Sequence, residues 1–220
     1  MQQKHSYYDD RGNTLNILDK NGTILSRDKF PSLKAIFQGY NSSINIINPM
    51  RIKSCTIICG SNCSIIIGNS CDIVGNLSIF ATAEHSCVKI ENNCSFSGVD
   101  IRLQSEPHLS ITIGDHCLFS SGITIRSSDS HTVFDINTLK AINIPKSISI
   151  GNHVWIGFGV DILKNSILPN NCIVAARSLI SGVFTEENCV LGGIPAKIIK
   201  KGVNWSWDNT YNYNLKYFNK

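Results

Sequence analysis

Between Ile150 and Ile180 an apolar residue returns at every sixth position of the chain. The series is Ile150, Ile156, Ile162, Leu168, Val174 and Ile180. An amphipathic helix repeats its apolar residues at intervals of three and four, and a half-buried strand repeats them at two, so neither explains the period. Fixed-period repetition is typical of solenoids, in which stacked units bury a continuous core only together. One inward anchor per six residues predicts a triangular prism of short parallel strands.

The same six-residue repeat occurs earlier in the chain, in three shorter runs. Their anchors are Ile67, Ile73 and Ile79, then Ile90 and Phe96, then Ile113, Phe119 and Ile125. The intervals between runs are 11, 17 and 25 residues, and none of these is a multiple of six. The longest interval contains the segment SSDSHTVFD with His131. The break predicts a protruding loop over residues 127–147, and this interruption is the expected site of chemistry.

Composition limits the possible partners and the location of the protein. Hydrophobic residues make up 42% of the 220-residue chain and charged residues only 16%, which suits one domain with a substantial core. A net charge of +4 permits anionic partners, and no basic run indicates nucleic acid. The polar amino terminus lacks a signal peptide, and no apolar stretch approaches the ~18 residues of a membrane span. We therefore expect a cytoplasmic protein.

The nine cysteines raise the alternatives of packing and metal binding. Four of them each follow an apolar repeat position by four residues: Cys71, Cys94, Cys117 and Cys172. Buried cysteine behaves as a small hydrophobe, so we favour packing in a narrow interior. Cys55, Cys59 and Cys63 have an even spacing of four but lack the short pairs typical of zinc sites. We predict no metal site.

The most specific part of the sequence is IGNHVWIGFGVDILKNSILPNNCIVAARSLIS followed by GGIPAKII. Together with the DSH loop, it resembles the hexapeptide-repeat acyltransferases over roughly residues 60–205, and most strongly over 113–202. The resemblance implies an all-β, left-handed parallel β-helix. This handedness opposes the usual right-handed crossover rule, so it rests on the resemblance alone.

Three regions are expected along the chain. Residues 1–52 are predicted to be an amino-terminal β cap that leads into the first coil, with a hairpin turn at Asn21-Gly22. Residues 53–202 are predicted to form the β-helix with its loop, and residues 203–220 an aromatic tail. For the tail we favour packing on the last coils or on a neighbouring subunit over a platform for stacking sugars.

Acyl transfer from a thioester to a hydroxyl needs a base for the hydroxyl proton. His131 is the best candidate, because its pKa class suits the task and its loop carries polar neighbours. In the family that the chain resembles, the loop histidine is the base and acts directly on the acceptor, without an acyl-enzyme. Asp129 or Asp135 could orient His131, and the sequence does not choose between them.

The resemblance also implies where the acyl donor, acetyl-CoA, is bound. Related enzymes place the tryptophan that corresponds to Trp155 against the pantetheine arm and the acceptor pocket, so Trp155 is a candidate for both catalysis and cofactor binding. Small residues at coil corners would let the backbone approach that arm. The further cofactor-binding candidates are Gly157, Ala175, Ala176, Ser181 and Lys197. Tight corners alone also explain the small residues, and Lys200 or Lys201 could replace Lys197 near the phosphates.

Within the family, the chain is most similar to bacterial capsule and surface-polysaccharide O-acetyltransferases, including those that modify sialic acid polymers. The leading hypothesis is an acetyl-CoA-dependent O-acetyltransferase that acts on a glycan hydroxyl, as a homotrimer with sites between subunits. An antibiotic or simple-sugar acetyltransferase is the alternative enzyme. A non-catalytic scaffold would leave the DSH loop without a purpose, and a zinc enzyme would need about three converging histidines.

Overall fold

The computed structural model describes residues 6–218, and nearly all of its regular structure is β. The strands are β1 (Tyr7–Tyr8), β2 (Thr14–Leu18), β3 (Leu33–Phe37), β4 (Ser43–Ile47), β5 (Arg51–Cys59), β6 (Ser64–Ile67), β7 (Asp72–Ala81), β8 (Cys87–Ile90), β9 (Ser95–Leu103), β10 (Ser110–Ile113), β11 (Leu118–Phe119), β12 (Ile123–Arg126), β13 (Ile148–Ile150), β14 (Trp155–Ile156), β15 (Asp161–Ile162), β16 (Ile167–Leu168), β17 (Ile173–Val174), β18 (Leu179–Ile180), β19 (Cys189–Gly193) and β20 (Ala196–Lys201). A 3₁₀ turn spans Arg27–Lys29, and the helix α1 spans Thr210–Tyr217. The prediction of an all-β solenoid is confirmed, with about seven turns.

Strands from successive turns pair in parallel and form the faces of the prism. One face follows the order β1-β2-β4-β6-β8-β10-β13-β16. A second ladder, β11-β14-β17-β19-β20, carries Trp155 and is called the Trp155 ladder. The third, β12-β15-β18, directly precedes the His131 loop and is called the loop ladder. The corner 157–160 connects β14 to β15, so these two ladders share an edge of the prism.

The six-residue anchors point into the interior, as the repeat predicts. All six anchors from Ile150 to Ile180 are at most 2% exposed. The anchors of the three earlier runs are buried as well. Each anchor stacks on its counterpart in the next coil, as Ile150 does on Leu168 and Ile156 on Val174. The core is therefore one continuous apolar column.

Coil length explains why the repeat is obvious only near the end of the chain. In the late coils, stacked anchors such as Ile162 and Ile180 lie 18 residues apart, which is three hexapeptides. In the earlier coils, Ile67 stacks on Ile90, 23 residues later. The long strands β5, β7 and β9 account for the extra residues. β9 alone pairs with both β11 and β12 and so spans two faces as one strand.

One column of corners uses a left-handed backbone conformation. Its members include Ser70, Asn93, His116, His153 and Asn171, with φ between 54° and 58°. The amide of His116 donates to the Asn92 carbonyl, and that of His153 to the Asp115 carbonyl. These bonds tie each corner to the neighbouring coil. His116 and His153 are therefore structural corner residues, as their position in the repeat predicts.

The cysteines lie in the core as free thiols. Eight of the nine are buried, and Cys87 is partly exposed. Burial raises the pKa of Cys55 and of Cys59 to about 12, so both are uncharged at neutral pH. Packing therefore explains the cysteines. Within residues 6–218, no three His, Cys, Asp or Glu side chains are placed to share a metal ion.

The parallel ladder begins earlier than the six-residue repeat does. β2 pairs in parallel with β4, and β4 with β6, so Leu15 and Ile17 already lie in the column of the core. The predicted turn at Asn21-Gly22 is present as a short hairpin with the antiparallel bridge Leu18–Ile24. The boundaries at residues 52 and 202 stay predictions, and residues 1–5 and 219–220 lie outside the described residues. No helix between residues 6 and 218 could cross a bilayer.

Candidate active site

The His131 loop leaves the prism after β12 and returns at β13, and it folds back on itself. Phe134 and Ala141 form an antiparallel bridge, and the Ile142 amide donates to the Val133 carbonyl over 2.8 Å. Asp135 organises the tip: its Oδ1 accepts the amides of Asn137 and Thr138 at 2.9 and 2.8 Å. Hydrogen bonds from Thr138, followed by the Asn137 amide, lower the pKa of Asp135. This carboxylate serves the turn of the loop.

His131 is exposed at the base of the loop, in a shallow depression of about 240 Å³. Glu106, Asp129 and Asn143 line the same depression. The Asn143 side chain links the two others: its Nδ2 donates to Asp129 Oδ2 over 2.8 Å and to the His131 carbonyl over 2.9 Å. The main chain of His131 is therefore fixed, while its imidazole faces open space that an acceptor could enter.

Asp129 is bound on two sides. Lys164 Nζ forms an ion pair with Asp129 Oδ2, and Asn143 donates to the same oxygen. The hydrogen bond from Lys164, followed by that from Asn143, lowers the pKa of Asp129, so its carboxyl is ionised at neutral pH. The contacts of Asp129 reach the His131 backbone through Asn143. A role of Asp129 or Asp135 in orienting the imidazole stays a prediction.

Trp155 lies on a different ladder and lines a different cavity. Its side chain is 40% exposed, whereas the adjacent Ile156 is fully buried. The cavity measures about 800 Å³ and is otherwise lined by Ile173 and by the aromatic tail. Trp205 of the tail stacks on His153 at 4.3 Å and donates its indole N–H to the His153 carbonyl over 2.8 Å. The tail therefore packs on the coil and forms the second wall of the Trp155 cavity.

Three of the predicted cofactor residues lie in one row beside Trp155. Gly157 follows β14, Ala175 follows β17, and Lys197 of β20 pairs with Gly192 of β19. The amides of Gly157 and Ala175 donate to carbonyls of the next coil at 2.9 and 2.8 Å. A Cβ on Gly157 would stand 2.8 Å from the Ala176 nitrogen. Close stacking of the coils therefore requires this glycine, while Ala176 and Lys197 remain exposed beside the row.

Ser181 lies apart from the other cofactor candidates. It follows β18 on the loop ladder, and the Ile180 carbonyl beside it accepts the Leu163 amide over 2.9 Å. The structure thus forms two groups of candidates, on ladders that meet at the 157–160 corner. His131, Asp129 and Ser181 belong to the loop ladder and its loop, and Trp155, Gly157, Ala175, Ala176 and Lys197 belong to the Trp155 ladder.

Three residues with direct contacts at these sites were not singled out from the sequence: Asn143, Lys164 and Trp205. Lys164 follows β15 and meets Asp129 across 35 residues of chain, a contact that the repeat does not reveal. Asn143 stands in an irregular segment without a periodic signal. Only Trp205 had a signal, the density of aromatic residues in the tail.

Comparison with known proteins identifies relatives with the same architecture. No family model matches the chain. A polysialic acid O-acetyltransferase of Neisseria meningitidis is 32% identical over 168 residues, which cover 76% of each protein. A polysialic acid O-acetyltransferase of Escherichia coli O1:K1 / APEC is 33% identical over 96 residues, 44% of this chain. The chain matches only 31% of the length of that second relative.

A solved structure extends the comparison to almost the whole chain. The polySia specific acetyltransferase NeuO has a TM-score of 0.75 and 25% identity, over 93% of this chain and 94% of that one. It has a left-handed β-helix, which confirms the predicted handedness. The predicted family and the predicted enzyme class are both confirmed. The chain belongs to the hexapeptide-repeat, left-handed β-helix O-acetyltransferases, and it is an acyltransferase.

Proposed function

We propose that the chain transfers an acetyl group from acetyl-CoA to a hydroxyl of a bacterial surface glycan, with His131 as the general base. The observation that carries the proposal is the exposed imidazole of His131, on a loop whose backbone is fixed beside it by Asn143. A relative that matches 76% of the chain is named a polysialic acid O-acetyltransferase, which favours a glycan acceptor.

The proposed reaction is a direct transfer. The His131 imidazole accepts the proton of the acceptor hydroxyl as its oxygen attacks the thioester carbonyl. The tetrahedral intermediate then breaks its C–S bond, and the thiolate takes up the proton from the imidazolium. The products are an acetyl ester, free coenzyme A and neutral His131. No acyl-enzyme is formed, so the chain needs no nucleophile of its own.

The donor would lie along the Trp155 ladder. The cavity of about 800 Å³ beside Trp155 can hold part of an extended thioester. The row of Gly157 and Ala175 would let the pantetheine arm approach the coil, beside Ala176. Lys197 at the end of the row would meet phosphate as a point charge. Ser181 lies on the loop ladder, so its proposed contact would be with the part of the donor nearest His131.

A complete site is proposed to need more than one subunit. The depression around His131 and the cavity around Trp155 share no residue. In a homotrimer, His131 of one chain could face the Trp155 cavity of its neighbour, with three sites per assembly. A cytoplasmic location belongs to the same proposal, because nine free cysteines suit a reducing compartment.

An acidic acceptor suits the surroundings of His131. Arg126 and Lys164 line a second depression of about 200 Å³, which Asp129 and Ser128 share with the His131 depression. A carboxylate-bearing sugar, such as sialic acid in a polymer, would meet the exposed Arg126 at this point. This favours an acidic polysaccharide over a neutral sugar or an antibiotic.

The experiment is release of free thiol from acetyl-CoA with a panel of acceptors. Sialic acid oligomers, neutral oligosaccharides and aminoglycoside or phenicol antibiotics are compared at equal concentration. We expect the highest kcat/KM with the sialic acid oligomers and an ester-bound acetyl group on the product. A preference for antibiotics would refute the glycan proposal. No turnover on any acceptor, with no thermal shift on adding acetyl-CoA, would favour a non-catalytic scaffold.

A further inference from the structure

Lys164 joins the two ends of the His131 loop to the prism. It follows β15, and its side chain is only 17% exposed. Its Nζ pairs with the Asp129 carboxylate at the outgoing end of the loop, and it donates to the Asn143 carbonyl at the returning end over 2.6 Å. One ammonium group therefore holds both ends of the loop against a coil that belongs to the regular repeat.

Asn143 extends this contact to His131. The same side chain that donates to Asp129 Oδ2 also donates to the His131 carbonyl at 2.9 Å. Its Oδ1 accepts the Val133 amide at 2.9 Å. The backbone is therefore fixed at His131 and again two residues later. A shift of Lys164 would reach His131 through only one intermediate residue.

Apolar packing does not provide an alternative anchor within a single chain. The large apolar side chains of the loop are all more than half exposed, namely Val133, Phe134, Ile136, Leu139, Ile142 and Ile144. A loop with so little buried apolar surface is positioned by its polar contacts. Charge-assisted hydrogen bonds are the strongest of these, and the low exposure of Lys164 limits screening by water.

We propose that Lys164 is a positioning residue for catalysis: by binding Asp129 and the Asn143 carbonyl it fixes the backbone of His131 in the reactive geometry. This inference rests on the proposed role of His131 as the base. Lys164 itself does not touch the reacting atoms. A misplacement of about 1 Å at the base can lower the rate by roughly 100-fold, so the contact has a measurable effect on turnover.

The test compares Lys164→Met with Lys164→Arg in the full-length protein, in the thiol-release assay. For Lys164→Met we expect kcat to fall by about 10- to 100-fold, while KM for acetyl-CoA changes by less than about twofold. Lys164→Arg should recover part of kcat, since a guanidinium can contact both oxygens. Lys89→Met is the matched control, because Lys89 forms an ion pair with Glu91 on β8, away from the loop. It should retain wild-type kcat.

Asp129→Asn tests the same contact if Lys164→Met is poorly folded. It removes the charge but keeps the size of the side chain, and it should also lower kcat at unchanged KM for acetyl-CoA. The double variant should be no slower than the slower single variant. His131→Ala separates the two hypotheses. An active His131→Ala would refute the base itself. An inactive His131→Ala beside a Lys164→Met or an Asp129→Asn with wild-type kcat would refute only the positioning role.

Discussion

The His131 depression and the Trp155 cavity are built in opposite ways. His131 lies on an inserted loop that exposes its apolar side chains and is fixed by polar contacts to Lys164 and Asn143. Trp155 lies on a regular strand, beside a fully buried neighbour, and its cavity is closed by an aromatic tail. In this fold, repetition provides a rigid edge for binding, and the interruption of the repeat provides a movable position for chemistry.

The largest effect is expected for His131→Ala. Loss of a general base lowers turnover by roughly 10²- to 10⁴-fold, while binding of acetyl-CoA should persist because the Trp155 cavity is untouched. The measurements are thiol release and calorimetric binding of acetyl-CoA. His116→Asn is the matched control, since it replaces a corner histidine with a residue that tolerates φ near 58°. Near wild-type turnover in His131→Ala would contradict the mechanism.

Ile156→Ala tests the rigid side of the comparison. Ile156 is fully buried in the core column, so truncation should lower the free energy of unfolding by about 2–5 kcal/mol. Ile136→Ala, in the loop and 82% exposed, should change it by less than about 0.5 kcal/mol. Chemical denaturation of both variants measures the difference. Equal losses would mean that a neighbouring subunit covers the loop.

Trp155→Ala should affect binding rather than turnover. Removal of an aromatic contact of about 0.5–1.5 kcal/mol would raise KM for acetyl-CoA by roughly 2- to 13-fold, with kcat of similar size to wild type. Steady-state kinetics with varied acetyl-CoA measures both constants. A loss in kcat alone would move Trp155 from the binding edge to the chemical step.

The smallest effect is expected for the pH dependence of the Lys164–Asp129 pair. The pKa of Asp129 is lowered in the folded chain, so the pair stabilises the fold above the ordinary carboxyl pKa of about 4. This contribution is lost as pH falls through the lowered value. The difference in thermal stability between wild type and Asp129→Asn should therefore be present at neutral pH and vanish below about pH 4. A difference independent of pH would exclude the ion pair as its source.

The sequence predicts the late coils well and the early coils poorly, for a reason of length. Ile150 to Ile180 repeat every six residues because each late coil has 18. The earlier offset of 23 between Ile67 and Ile90 hides the same stacking. The position of His131 in a loop was also predictable, since an interruption is visible in one dimension. The contacts of Lys164 were not, because they join residues 35 and 21 positions apart.

The spacing across the loop has a consequence for how such a protein can diversify. Ile113, Phe119 and Ile125 each stack on a residue exactly 37 positions later, so the insertion lengthens one turn without shifting the register of any face. Residues can be gained or lost between Arg126 and Ile148 while every anchor keeps its partner. Descendants of one scaffold can therefore acquire new acceptor preferences by exchanging a single segment, without renegotiating the core that they inherit.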